Sequence, residues 1–146
     1  MQSGDVIGLI SLGLVIGIGA ACDLRTKKIP VVLLVAGSCC VCAAAVFPNA
    51  LTMRERVFGM IPGVLFLAAG LLWHMIGTGD SVLVLLSGFA LGLRGLSFFL
   101  LVSLMSLLPV ALLLVVIRKI GRKDTLPFYP FAAAGFAISL LLGVVP

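Results

Sequence analysis

Two aspartates sit where hydrophobic segments end, and their placement is the strongest chemical signal in the chain. Asp23 closes one long apolar run, and Asp80 ends the tetrad Gly77-Thr78-Gly79-Asp80 between two others. An acidic side chain at membrane depth costs roughly 2.5–3.5 kcal/mol or more, so such residues mark function by default. Two carboxylates held close cannot both ionise easily: repulsion and desolvation keep a proton on one while its neighbour stays charged. That pairing suits hydrolysis of a peptide bond. The charged member takes a proton from water, the protonated member donates to the carbonyl oxygen, and the leaving amine is then protonated. No metal, cofactor or covalent intermediate is required. Gly77 and Gly79 remove side chains beside Asp80, leaving bare backbone against which an extended substrate strand can lie.

Each aspartate has a plainer reading when taken alone. Asp23 could open a basic interfacial loop, and Asp80 could cap a helix as its N-cap residue. Their joint placement on one side of a membrane favours function.

The elements that must position this pair are helices in lipid. Of 146 residues, 62% are hydrophobic and 10% are charged, and the mean hydropathy is +1.35. A soluble globule of this size exposes too much surface to hide such a composition. The expectation is an all-α polytopic membrane protein, a single integral-membrane domain over residues 1–146 with no sizeable soluble appendage. Apolar runs long enough for spans are Val6–Cys22, Ile29–Phe47, Val57–Met75, Ser97–Ile117 and Pro130–Val145. A shorter run, Ser81–Leu93, lies between the third and fourth of these, which makes about six transmembrane helices with the fourth short. Val6–Cys22 lacks a preceding positive charge and is followed by Arg25, Lys27 and Lys28, so it reads as a retained helix and not a cleaved signal.

Charge then orients the spans. With the first loop cytoplasmic, that side carries Arg25, Lys27, Lys28, Arg118, Lys119, Arg122 and Lys123, seven cations against Arg54, Arg56 and Arg94 opposite. Both termini then lie outside, and Asp23 and Asp80 share the cytoplasmic side. The short fourth helix rises only ~20 Å against a ~30 Å hydrocarbon core, which sinks Asp80 below the membrane surface in a polar recess of irregular backbone. Gly13 and Gly17 form a G-x-x-x-G that lets another helix approach near Asp23. Pro62 and Pro109 are expected to kink their helices.

Other residues carry less. Cys22, Cys39, Cys40 and Cys42 read as small residues packing in helices, since no second pair or histidine completes a zinc site. His74 is the one histidine, which leaves neither a metal cluster nor a Ser–His–Asp triad; with Trp73 it reads as an interfacial side chain. The net charge of +5 belongs to cytoplasmic loops that set topology and touch anionic lipid, and does not indicate a nucleic-acid partner. The sequence carries no signal of oligomeric state.

Three ordered motifs add a family resemblance. Asp23-Leu24-Arg25-Thr26-Lys27-Lys28-Ile29-Pro30 resembles the first catalytic motif of the type IV prepilin peptidases, an aspartate followed by Ile/Leu-Pro. Gly77-Thr78-Gly79-Asp80 resembles their second motif, G-x-G-D. Leu126-Pro127-Phe128-Tyr129-Pro130-Phe131, with Gly135 beyond, is similar to the Pro-Phe-x-Pro-Phe…Gly stretch of their last helix. The resemblance implies an intramembrane aspartic endopeptidase of the bacterial inner membrane. It would remove the leader peptide from type IV pilin-like precursors at the cytoplasmic face, with Asp23 and Asp80 as the catalytic pair and no cofactor.

The chain also departs from the family pattern. Many members carry lysine two residues after the second aspartate, where this chain has Val82, and Val31 follows the first motif's proline, where a polar residue is common. The methylating N-terminal region of the two-function enzymes, with its paired C-x-x-C metal site, has no counterpart. The chain therefore resembles the short peptidase-only form that serves Flp/Tad-type pili, and methyltransferase activity is not expected. A basic leader would be repelled by the basic loops, so its recognition would have to come from elsewhere: Glu55 if the topology were reversed, Asp124, or lipid. Two rival readings stay open: a small proton-coupled carrier using the same acids as a relay, and an inactive assembly partner of a pilus or secretion machine.

Overall fold

In the computed structural model the described residues are 3–26, 30–47, 51–73, 77–117 and 128–143. They form five helical elements and no strand: α1 (Ser3–Thr26), α2 (Val31–Ala44), α3 (Met53–Trp73), α4 (Thr78–Val116) and α5 (Tyr129–Leu141). Three stretches, Ser3–Arg25, Met53–Leu72 and Thr78–Leu113, are long and apolar enough to cross a membrane, while α2 and α5 are shorter apolar helices. Large side chains such as Val32, Leu72 and Leu141 lie mostly exposed. On a chain this apolar, that is the surface of a multi-pass membrane protein whose solvent is lipid.

Because nearly every position is apolar, the packed faces are marked by burial period and not by a polar stripe. On α1 the buried positions Leu12, Ile16, Gly19 and Asp23 follow the 3–4 spacing of one helix face. On α4 the run Leu83, Ser87 and Leu91 continues the face that begins at Asp80. On α5 it is Tyr129, Ala132, Phe136 and Ser139. Each face thus has an end at a residue of the three motifs described above.

α4 is interrupted at Gly92, whose φ of 68° and ψ of 178° no helix adopts. A left-handed φ strains any side-chain-bearing residue, which is why glycine stands there. The two arms, 78–91 and 93–116, run back alongside one another. α5 reaches Gly79 through Tyr129, and six residues later Gly135 lies against Phe99 and Ser103. Six helical residues advance only about 9 Å, whereas the roughly 20 from Gly79 to Phe99 would carry a straight helix about 30 Å away. The expected short fourth helix is the first arm. Pro62 and Pro109 lie within helical runs, and the helical dihedrals are broken at Gly92, a position the sequence did not single out.

Folding back at Gly92 strands the carbonyls at the end of the first arm, because the last four of any helix lack internal partners. Arg56 meets one of them. It is buried, donates from Nη1 to the Phe89 carbonyl at 3.2 Å, and lies over the Phe89 ring at 5.4 Å. It is therefore an internal strut between α3 and α4, and not the loop charge that the topology count made of it. Arg56→Ala should lower the thermal unfolding midpoint in detergent, reflecting a loss of about 1–3 kcal/mol from an unpaired buried carbonyl. An unchanged midpoint would dismiss the strut.

α3 packs on α4 alone among the described residues, while α4 also touches α1, α2 and α5. The α3–α4 seam is backbone on backbone. A Cβ on Gly59 would fall onto the Gly88 carbonyl, one on Gly88 onto that of Gly59, and one on Gly63 onto the Leu85 backbone. Small residues that admit such contact are the usual means of helix association in lipid. The α1 glycines behave differently from expectation. Gly13 faces Phe136, but Gly17 has nothing within 4 Å, and the tightest approach on α1 belongs to Gly19.

Other differences have local causes. α3 starts at Met53, earlier than the apolar run, because Thr52 and Glu55 form a reciprocal cap. Glu55 Oε2 accepts from the Thr52 amide at 2.8 Å and its hydroxyl at 2.9 Å. That engagement makes Glu55 a helix-capping residue. On α2 the packed residues are Gly37, Val41 and Ala44, whereas Cys39, Cys40 and Cys42 are exposed. These cysteines line the outer flank instead of packing inward. The basic residues Lys27, Lys28, Arg118, Lys119, Arg122 and Lys123 lie outside the described residues, as do His74, Asp124 and Pro127; so does the side chain of Trp73.

Candidate functional site

The C-terminal end of α1 and the N-terminal ends of α4 and α5 meet at one place, and Tyr129 is the junction. The Pro at the start of α5 suits a first helical turn, where a missing N–H costs nothing. The Phe131 amide is met by the Phe128 carbonyl at 3.1 Å, which leaves the Tyr129 amide to find a partner outside the helix. The Tyr129 amide donates to Asp23 Oδ2 at 3.3 Å. Asp23, buried on the packed face of α1, thus serves α5 as an end cap supplied from another helix.

The other side of Tyr129 faces the tetrad. Its hydroxyl donates to the Gly79 carbonyl at 3.2 Å, and the residue is fully buried. The ring lies so close to α1 that a Cβ on Gly19 would overlap it. Asp23 and the Gly79–Asp80 backbone therefore stand on opposite sides of one aromatic side chain. The Asp23 carboxylate lies within electrostatic reach of Asp80, and both lie within reach of the Tyr129 hydroxyl.

The tetrad itself is more regular than the sequence suggests. Thr78, Gly79 and Asp80 already belong to the first turn of α4, and only Gly77 precedes it. The Ser81 amide donates to the Gly77 carbonyl at 3.1 Å, and the buried Ser81 hydroxyl donates to the same oxygen at 3.2 Å. These two bonds close the turn, so the expected irregular backbone is helical from Thr78 on. Asp80 occupies the first turn and not the N-cap position. It is half-buried, and Gly77 is exposed. A Cβ at Gly77 would stand 3.2 Å from Asp80 Oδ2, so this glycine leaves room for the carboxylate. Of the two tetrad glycines, Gly79 has its carbonyl engaged by Tyr129, and Gly77 keeps the open flank.

Val82, at the position where a lysine is common, is a partly buried side chain packed against the core. No cluster of three or more His, Cys, Asp or Glu suited to a metal ion occurs among the described residues. The pair that residue type and spacing singled out is thus drawn toward one end of the bundle. The residue that sequence reasoning passed over is Tyr129. Its one local signal was its place between Phe128 and Pro130 at a helix start; its partners lie 106 and 50 residues away.

No curated protein and no solved structure matches the chain. The model of the type IV leader peptidase family does match, over residues 10–114. That stretch takes in Asp23, the whole Gly77–Asp80 tetrad and the Gly92 reversal, and the chain belongs to the type IV leader peptidase family.

Proposed function

We propose that this protein is an intramembrane aspartic endopeptidase in which Asp23 and Asp80 act as the catalytic pair. The reading rests above all on one observation: two carboxyl-bearing helix ends converge on a shared, buried tyrosine. Family membership supplies the reaction class, cleavage of a leader peptide. The substrate is a type IV pilin-like precursor, cut at the cytoplasmic face of the bacterial inner membrane. The two arms of α4 act as separate crossings in this reading, which makes six, with both termini outside.

The chemistry follows from the side chains. One carboxylate draws a proton from water as the water attacks the scissile carbonyl. The partner carboxyl donates its proton to the carbonyl oxygen, and the tetrahedral species collapses when the leaving amine is protonated. Water reaches the pair through the half-exposed Asp80 and the open flank at Gly77. The substrate backbone approaches on that same flank, because Gly77 itself carries no side chain.

The decisive experiment incubates purified protein in liposomes with a pilin-like precursor and measures leader release by mass spectrometry. Cleavage by wild type and its loss in both Asp23→Asn and Asp80→Asn is the expected result. Undiminished release in either variant would overturn the mechanism. A milder change is expected from Gly77→Ala. Its added methyl presses on the Asp80 carboxylate without entering the core, so kcat should fall about 3- to 30-fold with unfolding unaltered, given how steeply rates depend on placement. A Gly77→Ala enzyme with wild-type kcat would show that the Asp80 position tolerates displacement.

A further inference from the structure

We propose that Tyr129 is a positioning residue for the reaction, its hydroxyl holding the Gly77–Asp80 turn at a set spacing from Asp23. The inference rests on the dyad reading above and extends it to a residue outside both aspartate motifs.

A buried tyrosine hydroxyl must find a partner, because an unpaired one forfeits its hydrogen bonds to water. Any carbonyl on a neighbouring helix would satisfy that need. Here the partner is the Gly79 carbonyl, one peptide unit before Asp80. From the same residue the backbone amide reaches the Asp23 carboxylate. One rigid side chain and its own peptide group therefore span the gap between the two acids. The aromatic ring has no soft torsion between its backbone and its hydroxyl other than two χ angles. It is further held by α1, where Gly19 admits the Cδ1 and Cε1 atoms of the ring and any larger residue would push it aside. Asp23, Gly19 and Tyr129 lie on the packed faces of α1 and α5 that already meet. A shift of either helix changes the distance between the carboxylates unless the Tyr129 bridge resists it.

A merely structural tyrosine would act on stability and leave the chemistry of folded molecules untouched. A positioning tyrosine acts on kcat. Reactions that need two groups placed together lose rate steeply on displacements near 1 Å. The substrate's ground-state contacts, made along the exposed flank, do not involve the hydroxyl.

The test uses full-length protein in liposomes with the same precursor, each rate normalised to the monodisperse folded fraction. Tyr129→Phe keeps the ring and removes the hydroxyl. It should lower kcat about 10-fold with KM within about 2-fold, and weaken binding of a peptide carrying a non-cleavable tetrahedral mimic by a similar factor. Gly19→Ala, which retains the hydroxyl and displaces the ring, should lower kcat in the same way. Asp23→Asn and Asp80→Asn are run in parallel. If both are inactive while Tyr129→Phe and Gly19→Ala turn over at the wild-type kcat, Tyr129 has no positioning role and the dyad stands. If an aspartate variant cleaves normally, the dyad reading falls first. A Tyr129→Phe protein with lowered stability but unaltered kcat per folded molecule also overturns the proposal.

Discussion

Asp23→Asn and Asp80→Asn should each lower kcat/KM for leader removal by at least about 100-fold, since positioned acid–base groups contribute about 10²–10⁴. The substitution is isosteric, so the bundle should survive it. At position 23 the amide oxygen can still accept from the Tyr129 amide, whose bond to Asp23 is made at 3.3 Å. The α5 cap is thereby retained, and any loss of rate reports proton transfer and not unfolding. The two losses should not add. When two groups act as a unit, removing either leaves little for the second removal to take away. The double variant should therefore be about as slow as the worse single one. Measured by initial rates of leader release, a single variant within about 10-fold of wild type argues that its aspartate does not handle protons.

Gly88→Leu should prevent recovery of a monodisperse folded protein, whereas Gly17→Leu should leave it unaffected. The contrast isolates packing from helix propensity, since both substitutions replace a helical glycine with the same good helix former. At Gly88 the added carbon meets the Gly59 carbonyl, and main chain on both sides cannot rotate away. Overpacking a soft core costs about 1–3 kcal/mol, and a backbone collision exceeds that range. The only relief is separation of α3 from α4, the one helix it packs against among the described residues. At Gly17 nothing stands within 4 Å. Size-exclusion profiles and unfolding midpoints in detergent decide the matter: equal behaviour of the two variants would refute the close α3–α4 seam.

Much of the architecture was legible from composition, and some of it only from contacts. Helical class and membrane residence follow from apolar content, because no other structure satisfies the backbone in lipid apart from closed barrels. Asp23 and the Gly77–Asp80 tetrad stood out for a related reason: acids are costly in such surroundings. Pairs of glycines were visible too, but spacing alone does not reveal which face of a helix meets a neighbour. Gly13 and Gly17 drew attention near Asp23, while the identically spaced Gly59 and Gly63 make the backbone contact. The start of α3 was readable in Thr52 and Glu55, three residues apart, yet hydropathy placed it later. Arg56 counted as a loop charge because burial of a cation depends on an acceptor freed at Gly92, 36 positions along the chain. Tyr129 was illegible for the same reason, its meaning lying wholly in partners distant in sequence.

A helix with a single protein neighbour takes the rest of its environment from the bilayer. Among the described residues α3 is in that position, and at Gly59, Gly63 and Gly88 its seam with the first arm of α4 is backbone contact that yields little to a change of tilt. Where hydrocarbon thickness and helix length disagree, tilting is the ordinary accommodation. A tilt of α3 must then be transmitted to the arm that begins at Asp80. Lipid chain length thereby becomes a mechanical input to the site, entering through a helix that makes no packing contact with α1, which carries Asp23, among the described residues.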